Sequence, residues 1–585
     1  MKATDNDYLR TLVPADLPDW RKIYDEAYRY GQSLPAGLSR FNRERGLSQT
    51  AYKAAQRIKG ELSWKVIMGL ASVDEEVRGL EYLHDFMKRS GCSIDACMVI
   101  PSILTALPSN LRRDVAMTTS FVLDKPEDWE RIAQAAPISP CFCDYHIACP
   151  NAVYNAEQCI RAGGEYTGVF SQIIWNYPGF NDELAHVTEV LKSVAMIASK
   201  KDRDFCIDTY LDDGHPSYFL DICSYFGYAL FERYILEDLC GARYVVSFGQ
   251  LLDRMVPKMA LWLACAQDMG PDGRPAVSYV YSNCIDHWDH DLEANYGFLV
   301  SEALMAAVVE KKFKTGASFL PIPITEKVHV PTVEAIANIS GAVQRAAATA
   351  GQWEGLMDFS LLERTRDLIV DKGRAFYNNL MDALENSGLD VKNPLAMFFV
   401  LRNINPTKFE QMFHPSVHDE GAEEVRPFVP TSIGQRTIEE ADDLAMRLGE
   451  RSAISLAGRR ALVISADAHW YGAYAVTMVL QKLGAEVVNG GVSIEPADAL
   501  DLADEEGLSD IMISLHNGQA MDYSRQLVEL ARKRGREYRF FAGGLLNGIP
   551  EGAGEPVDVS EIVAKSGVIV AASIPELVEK FSASV

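Results

Sequence analysis

Three short stretches near the carboxyl end of this sequence carry side chains that could hold a metal-bearing ligand. Asp467-Ala468-His469-Trp470-Tyr471-Gly472 sets a histidine two residues after an aspartate and three before a glycine. A neutral imidazole is a good ligand for a transition metal, and a nearby carboxylate can take the other ring N–H, fixing the tautomer and tuning the donor. Gly472 lets the chain turn close to whatever the histidine holds. Ser514-Leu515-His516 and Gly543-Gly544 follow; 41 residues separate Gly472 from Ser514, and 26 separate His516 from Gly543. A serine hydroxyl can hydrogen-bond a ligand, and paired glycines leave room where side chains would clash. Taken singly, His469 reads as a capping or surface histidine and Gly543-Gly544 as a plain turn. The combination argues for a ligand site.

Such residues need elements to position them. Apolar, β-branched runs predict strands at 461–465, 486–489, 510–514, 539–542 and 567–571, with helices at about 472–483, 496–506, 518–534, 559–565 and 574–582. Five β-α units make a small doubly wound sheet, Rossmann-like and specifically flavodoxin-like. Ligands of such sheets sit beyond the carboxyl ends of the strands. The three stretches follow the first, third and fourth strands.

In motif and spacing this region resembles the cobalamin-binding domain of base-off, His-on B12 enzymes. The resemblance implies that His469 ligates the cobalt from below and that Asp467 supports it. Ser514 would hydrogen-bond the displaced lower base, and Gly543 and Gly544 would admit the nucleotide tail. His516 stands where that family has leucine, so the slot is more polar here.

Upstream, from about 61 to 340, apolar runs alternate with helix-like stretches. Candidate strands are 96–100, 205–208, 244–248, 277–281 and 317–320, with helices such as 180–200 and 297–313 between them. This α/β alternation predicts a (β/α)8 TIM-like barrel, with an open doubly wound sheet as the competing arrangement. The expected domains are an N-terminal helical arm (1–60), a barrel with following helices (61–412), a polar linker rich in Pro and Gly (413–454) and the cobalamin-binding domain (455–585).

The formal net charge of −25 argues against nucleic acid and anionic membrane surfaces as partners. The 11 cysteines show no CxxC and read as reduced thiols, with Cys141-Phe142-Cys143 weak evidence for metal. The polar start Met1–Arg10 lacks a leader's apolar core, and no stretch reads as the ~18 apolar residues of a membrane span, so the expected location is the cytoplasm.

Residues 60–340 resemble, diffusely, the catalytic subunit of glutamate mutase. The matching pieces are Ala162-Gly163-Gly164 before Trp175-Asn176-Tyr177-Pro178, Phe248-Gly249-Gln250, Gly316-Ala317-Ser318, Thr325-Glu326 and Val330-Pro331-Thr332-Val333-Glu334-Ala335. A single fused chain is similar to 2-methyleneglutarate mutase. The resemblance implies adenosylcobalamin and a carbon-skeleton radical isomerase, with Glu326 holding the adenosyl ribose. That glutamate's companion lysine falls on Ile322. The family's three substrate arginines fall near Ile67, Ala106 and Ile147, and its amine-binding glutamate near Val169, so dicarboxylates are expected to bind poorly.

The loops offer acids and imidazoles instead: Asp208, Tyr210, Asp212, Asp213 and His215 after one strand, and Asp286, His287, Trp288, Asp289 and His290 after another. Asp208, Tyr210, His215, His287, Glu326 and the aromatic Trp175 are the candidate catalytic residues. A metal site at His287, Asp289 and His290 is a rival reading of that loop. The expected substrate is a small non-CoA molecule, and family resemblance suggests a homodimer or homotetramer. The alternatives are a corrinoid-dependent methyltransferase or a B12-binding regulatory protein.

Overall fold

Eight short strands pair in sequence order and close into a barrel: β1 (Ser63–Met68), β2 (Ala96–Val99), β3 (Ser139–Phe142), β4 (Tyr166–Thr167), β5 (Cys206–Tyr210), β6 (Tyr244–Phe248), β7 (Val277–Tyr281) and β8 (Ser318–Leu320). All pairs are parallel, and β8 returns to β1 through the Ser63–Ser318 and Trp64–Phe319 registers. The computed structural model describes residues 3–114, 120–270, 273–282, 291–326, 331–422, 425–451, 454–466, 471–492, 494–515, 519–548 and 557–583. The chain forms two compact units, Met1–Ser432 and Ile433–Val585.

Parallel neighbours require crossovers, and helices supply them. Local side chains set where those helices begin. Ser72 Oγ accepts from Glu75 N (3.2 Å) to start Val73–Ser90, with Asp74, Glu75 and Glu76 in the first turn where the helix dipole favours anions. Asp182, Asp221 and Asp291 cap Glu183–Ala198, Ile222–Arg233 and Leu292–Phe313 in the same way. Contrary to expectation, Leu292–Phe313 has the length and mean hydropathy (1.3) of a membrane span. It is the crossover from β7 to β8, packed on Val333–Ala347, and a helix set deep in a large core reaches the same composition.

The barrel lumen is packed with polar as well as apolar groups. Lys65 from β1, Cys141 from β3, Asp208 from β5 and Tyr279 from β7 meet at mid-height, as side chains of alternate strands do in such barrels. Lys65 Nζ lies 3.7 Å from Asp208 Oδ2 and 3.8 Å from the centre of the Tyr279 ring. Below this layer the N-terminal arm seals the barrel. On helix Gln49–Lys59, Gln49 Oε1 accepts from Ser139 Oγ (2.8 Å), and Lys53 Nζ donates to the carbonyls of Val277 (2.8 Å) and Ser278. Burial pulls the Lys53 amine down to about 7.

Three barrel strands escape the sequence reading for visible reasons. β1 carries Lys65 in its apolar run, β3 carries Pro140, and β4 has two residues. Within the stretch 413–454, His414 and Ser416 are buried in the first unit. His414 Nε2 meets Asp221 Oδ2 at 2.9 Å, its Nδ1 meets Ser416 Oγ at 2.7 Å, and its ring stacks on Phe428. Asp221 also accepts from the backbone N–H of Phe428 and Val429. Helix Ser432–Met446 follows and belongs almost wholly to the second unit.

Helix Ser360–Asn386 lies against Ile222–Arg233 at two glycines. A Cβ on Gly373 would come 2.7 Å from Cys223 O, and one on Gly227 would come 2.7 Å from Gly373 O. Backbone atoms there cannot step aside as a flexible side chain could. Gly373→Ala is therefore expected to destabilise the barrel unit by about 1–3 kcal/mol. Urea unfolding followed by tryptophan fluorescence reads this; an unchanged midpoint would refute tight backbone packing at the crossing.

The second unit is a five-stranded parallel sheet of order β10-β9-β11-β12-β15, from β9 (Arg460–Ser465), β10 (Glu486–Gly491), β11 (Asp510–Leu515), β12 (Arg539–Gly544) and β15 (Ile569–Val570). A small antiparallel ribbon, β13 (Asn547–Gly548) and β14 (Val557–Asp558), lies between the last two in sequence. Both faces of the sheet are buried, which is why its strands read as continuous apolar runs. Leu462, Ile464, Ile511 and Ile513 pack with Leu500 and Leu527 on one face. Ala461, Val463 and Met512 pack with Leu480 and Phe581 on the other.

Candidate functional site

At the carboxyl ends of the barrel strands, the loop residue Asp144 after β3, Gln172 after β4 and Asp213 after β5 converge. Gln172 Nε2 donates to Asp144 Oδ1 (3.1 Å) and to Asp213 Oδ2 (3.0 Å), while its Oε1 accepts from Tyr145 N (3.1 Å). Burial pushes the Asp144 carboxyl up to about 7. Burial, and then the charge of Asp144, push Asp213 well above the carboxylate range. Burial thus holds both acids toward their protonated forms, with the neutral Gln172 amide bridging them.

Aromatic groups wall this cluster. Tyr210 donates to Gln250 Oε1 (2.9 Å), and its ring lies 4.8 Å from that of Tyr281. Tyr281 in turn points its hydroxyl at Met98 Sδ (3.1 Å). Trp175 Nε1 donates to Asp213 O (2.9 Å), with its ring 6.0 Å from Tyr145. Glu326, in the turn after β8, is open to solvent yet walled by protein, and that crowding pushes its carboxyl up to about 7. Its charge reaches Tyr281 together with those of Asp144 and Asp213, so Glu326, Tyr210 and Trp175 all belong to this end of the barrel.

The other sequence candidates lie elsewhere. Asp208 is inside β5 rather than after it. It is fully buried in the lumen, where it accepts from Ser247 Oγ (2.7 Å) and Ser278 Oγ (2.8 Å), and its place is structural. His215 is buried with Nε2 donating to Leu401 O (2.6 Å) against Phe409 and Tyr228. Burial pulls it down to about 4, so it is neutral and packs aromatic core. His287, with Asp286, Trp288, Asp289 and His290, lies outside the described residues. Ile67 is half-buried and Ala106 and Ile147 are buried, all apolar, so the expected arginine positions carry no cation; Val169, at the amine-binding glutamate's position, is buried and apolar too. Asp144 and Gln172 were missed because the strands before them were not recognised.

In the second unit, three separate stretches of sequence meet at one edge. Ser465 at the end of β9 pairs with Ser514 of β11, and Ser514 pairs with Gly543 of β12. β9 and β11 are adjacent while β10 lies on the outer side of β9. The chain therefore departs in opposite directions at this point, and a crevice opens there in sheets of this order. Asp467, His469 and His516 follow these strand ends in sequence and lie outside the described residues. Gly472 is exposed in the first turn of helix Tyr471–Lys482. A Cβ at Gly543 would press on Ala571 O at 3.2 Å, and Gly544 has φ +108°, where a side chain is strained. Both glycines pair with the end of β11, Gly543 with Ser514, and present no side chain there, which fits the bulky tail of a cobalamin. Among the described residues no group of His, Cys, Asp and Glu could hold a bare metal ion.

Residues 460–560 match the family model of the B12 binding domain. A solved structure similar to this chain is a novel cobalamin-binding protein from Desulfitobacterium hafniense DCB-2, at 15% identity and TM-score 0.20, covering 35% of this chain and 88% of that one. No curated protein matches the chain. The protein is thus an eight-stranded parallel barrel joined to a C-terminal B12-binding domain.

Proposed function

We propose that this protein is an adenosylcobalamin-dependent isomerase that rearranges the carbon skeleton of a small, non-CoA substrate held in the barrel mouth. The observation that carries the reading is a closed parallel barrel, acid-lined at its carboxyl end, on the same chain as a B12-binding domain. His469 would ligate the cobalt with Asp467 supporting its imidazole, Gly472 would let the chain turn close to the corrin, and Ser514, His516, Gly543 and Gly544 would line the slot for the lower base and its tail. When bound, the cofactor supplies a carbon radical able to take hydrogen from an unactivated position. The barrel's part is to bind, orient and keep water out. Tyr210 and Tyr281, nearly fully buried with their hydroxyls on Gln250 Oε1 and Met98 Sδ, would form a largely apolar floor above the lumen. Glu326 would hold the ribose hydroxyls of the adenosyl group, with its carboxyl oxygens as acceptors. A mouth lined by carboxylates repels a thioester that carries several phosphates.

The test is freeze-quenched EPR of the full chain loaded with adenosylcobalamin in the dark, against a panel of small amines, polyols and acids, with product analysis by NMR. The expected result is an organic-radical signal with one compound, together with its rearranged product. Methyl transfer to a substrate without any radical signal would overturn the reading.

A further inference from the structure

We propose that the barrel mouth recognises a positively charged nitrogen, seated between Asp144 and Asp213, so that the substrate is a small organic cation. The reaction this serves is the rearrangement proposed above; the binding claim itself does not depend on it.

Asp144 and Asp213 share one neutral donor. Both N–H bonds of the Gln172 amide are spent on them, and an amide cannot cancel two negative charges. Among the described residues no Lys, Arg or His forms an ion pair with Asp144, Asp212 or Asp213. The nearest lysine charges are engaged elsewhere: Lys65 with Asp208, and Lys258 with Glu302 (2.5 Å). Two carboxylates so placed are stable only with a proton or a cation between them.

A second, independent feature points the same way. Asp212 is 8% exposed; its Oδ2 accepts from Gly249 N (2.9 Å) and Leu251 N (3.3 Å), and the Tyr210 hydroxyl lies near it, but among the described residues its buried Oδ1 has no partner in hydrogen-bond geometry. Asp212 lies close enough to Asp213 for its charge to act on it. Thr325 Oγ1, beside Glu326, is also buried without a partner among the described residues. Acceptors left unsatisfied in a protein-walled mouth call for donors brought by a ligand. An ammonium carries three, and the faces of Tyr210 and Tyr281 add quadrupole attraction for a cation. A divalent metal is a poor alternative because the described acids do not converge in a metal-holding group.

The experiment is calorimetric titration of the full chain loaded with hydroxocobalamin, a form that cannot start radical chemistry. The probes are a graded series of primary alkylamines, each set against its isosteric alcohol and carboxylate. At least one amine is expected to bind about 10–100-fold more tightly than its alcohol, the range for hydrogen bonds to charged groups. Its heat should vary with the ionisation enthalpy of the buffer, because burial holds both acids toward the protonated form and a proton leaves as the ammonium enters. Asp144→Asn and Asp213→Asn should each abolish the preference while cobalamin loading stays unchanged. Alcohols binding as tightly as every amine would overturn the proposal, as would a preference that survives both substitutions. A tightly bound amine that gives neither radical nor rearranged product would count against the isomerase reading and leave this one standing.

Discussion

His469→Ala is expected to abolish coordination of cobalt by the protein. The readout is the EPR spectrum of the full chain loaded with cobalamin and reduced to cobalt(II). The wild type should show splitting by a histidine nitrogen, and the variant should lose it. Cobalamin affinity should fall by roughly two orders of magnitude or more, since even the groups that merely orient a metal-bound histidine are worth about 10–100-fold. Asp467→Asn should give a smaller loss with the splitting retained, because it weakens the imidazole as a donor without removing it. Retention of the cofactor's own benzimidazole on cobalt in the wild type would sink the assignment of His469. The argument rests on position. β9 ends at Ser465, which pairs with Ser514 of β11, and Asp467 and His469 follow Ser465 in sequence within four residues.

The second large effect lies in the barrel lumen. Lys65→Met should destabilise the barrel unit by about 3–5 kcal/mol, the usual consequence of removing one partner of a buried ion pair. Burial pushes the Asp208 carboxyl up, and the Lys65 charge is the chief influence that opposes it, followed by the Ser247 and Ser278 hydroxyls. Without Lys65, Asp208 is left either charged and unpaired or protonated against its two serine donors. Adding Asp208→Asn should recover more than half of the loss, because an amide oxygen still accepts from a serine and no net charge remains. Trp470 is the only tryptophan after residue 432, so urea unfolding followed by tryptophan fluorescence reports chiefly on the barrel. A loss below about 1 kcal/mol would mean that the pair contributes nothing beyond a surface contact.

Much of the C-terminal domain was legible in the sequence alone. Its strands are four or five residues in the sequence reading, largely apolar and separated by amphipathic helices, and the structure places all five within two residues of expectation. Its ligand residues also sit inside short contiguous stretches, so their types and spacing survive as a pattern. The barrel was legible as a class through β2 and β5 to β8, while β1, β3 and β4 were hidden by Lys65, Pro140 and brevity.

The sequence by itself thus determined the α/β class, the doubly wound sheet and the loops that serve its crevice, because strand alternation, helix caps and turn glycines are local signals. Tertiary structure alone decided which acids work together. Asp208 and Asp213 are five residues apart, yet one turns into the sealed lumen toward Lys65 and the other joins Asp144 and Gln172 at the mouth. Barrel closure makes that division. It brings β1 opposite β5 and aligns the carboxyl ends of β3, β4 and β5, and such pairing depends on partners distant in the chain that no local periodicity encodes.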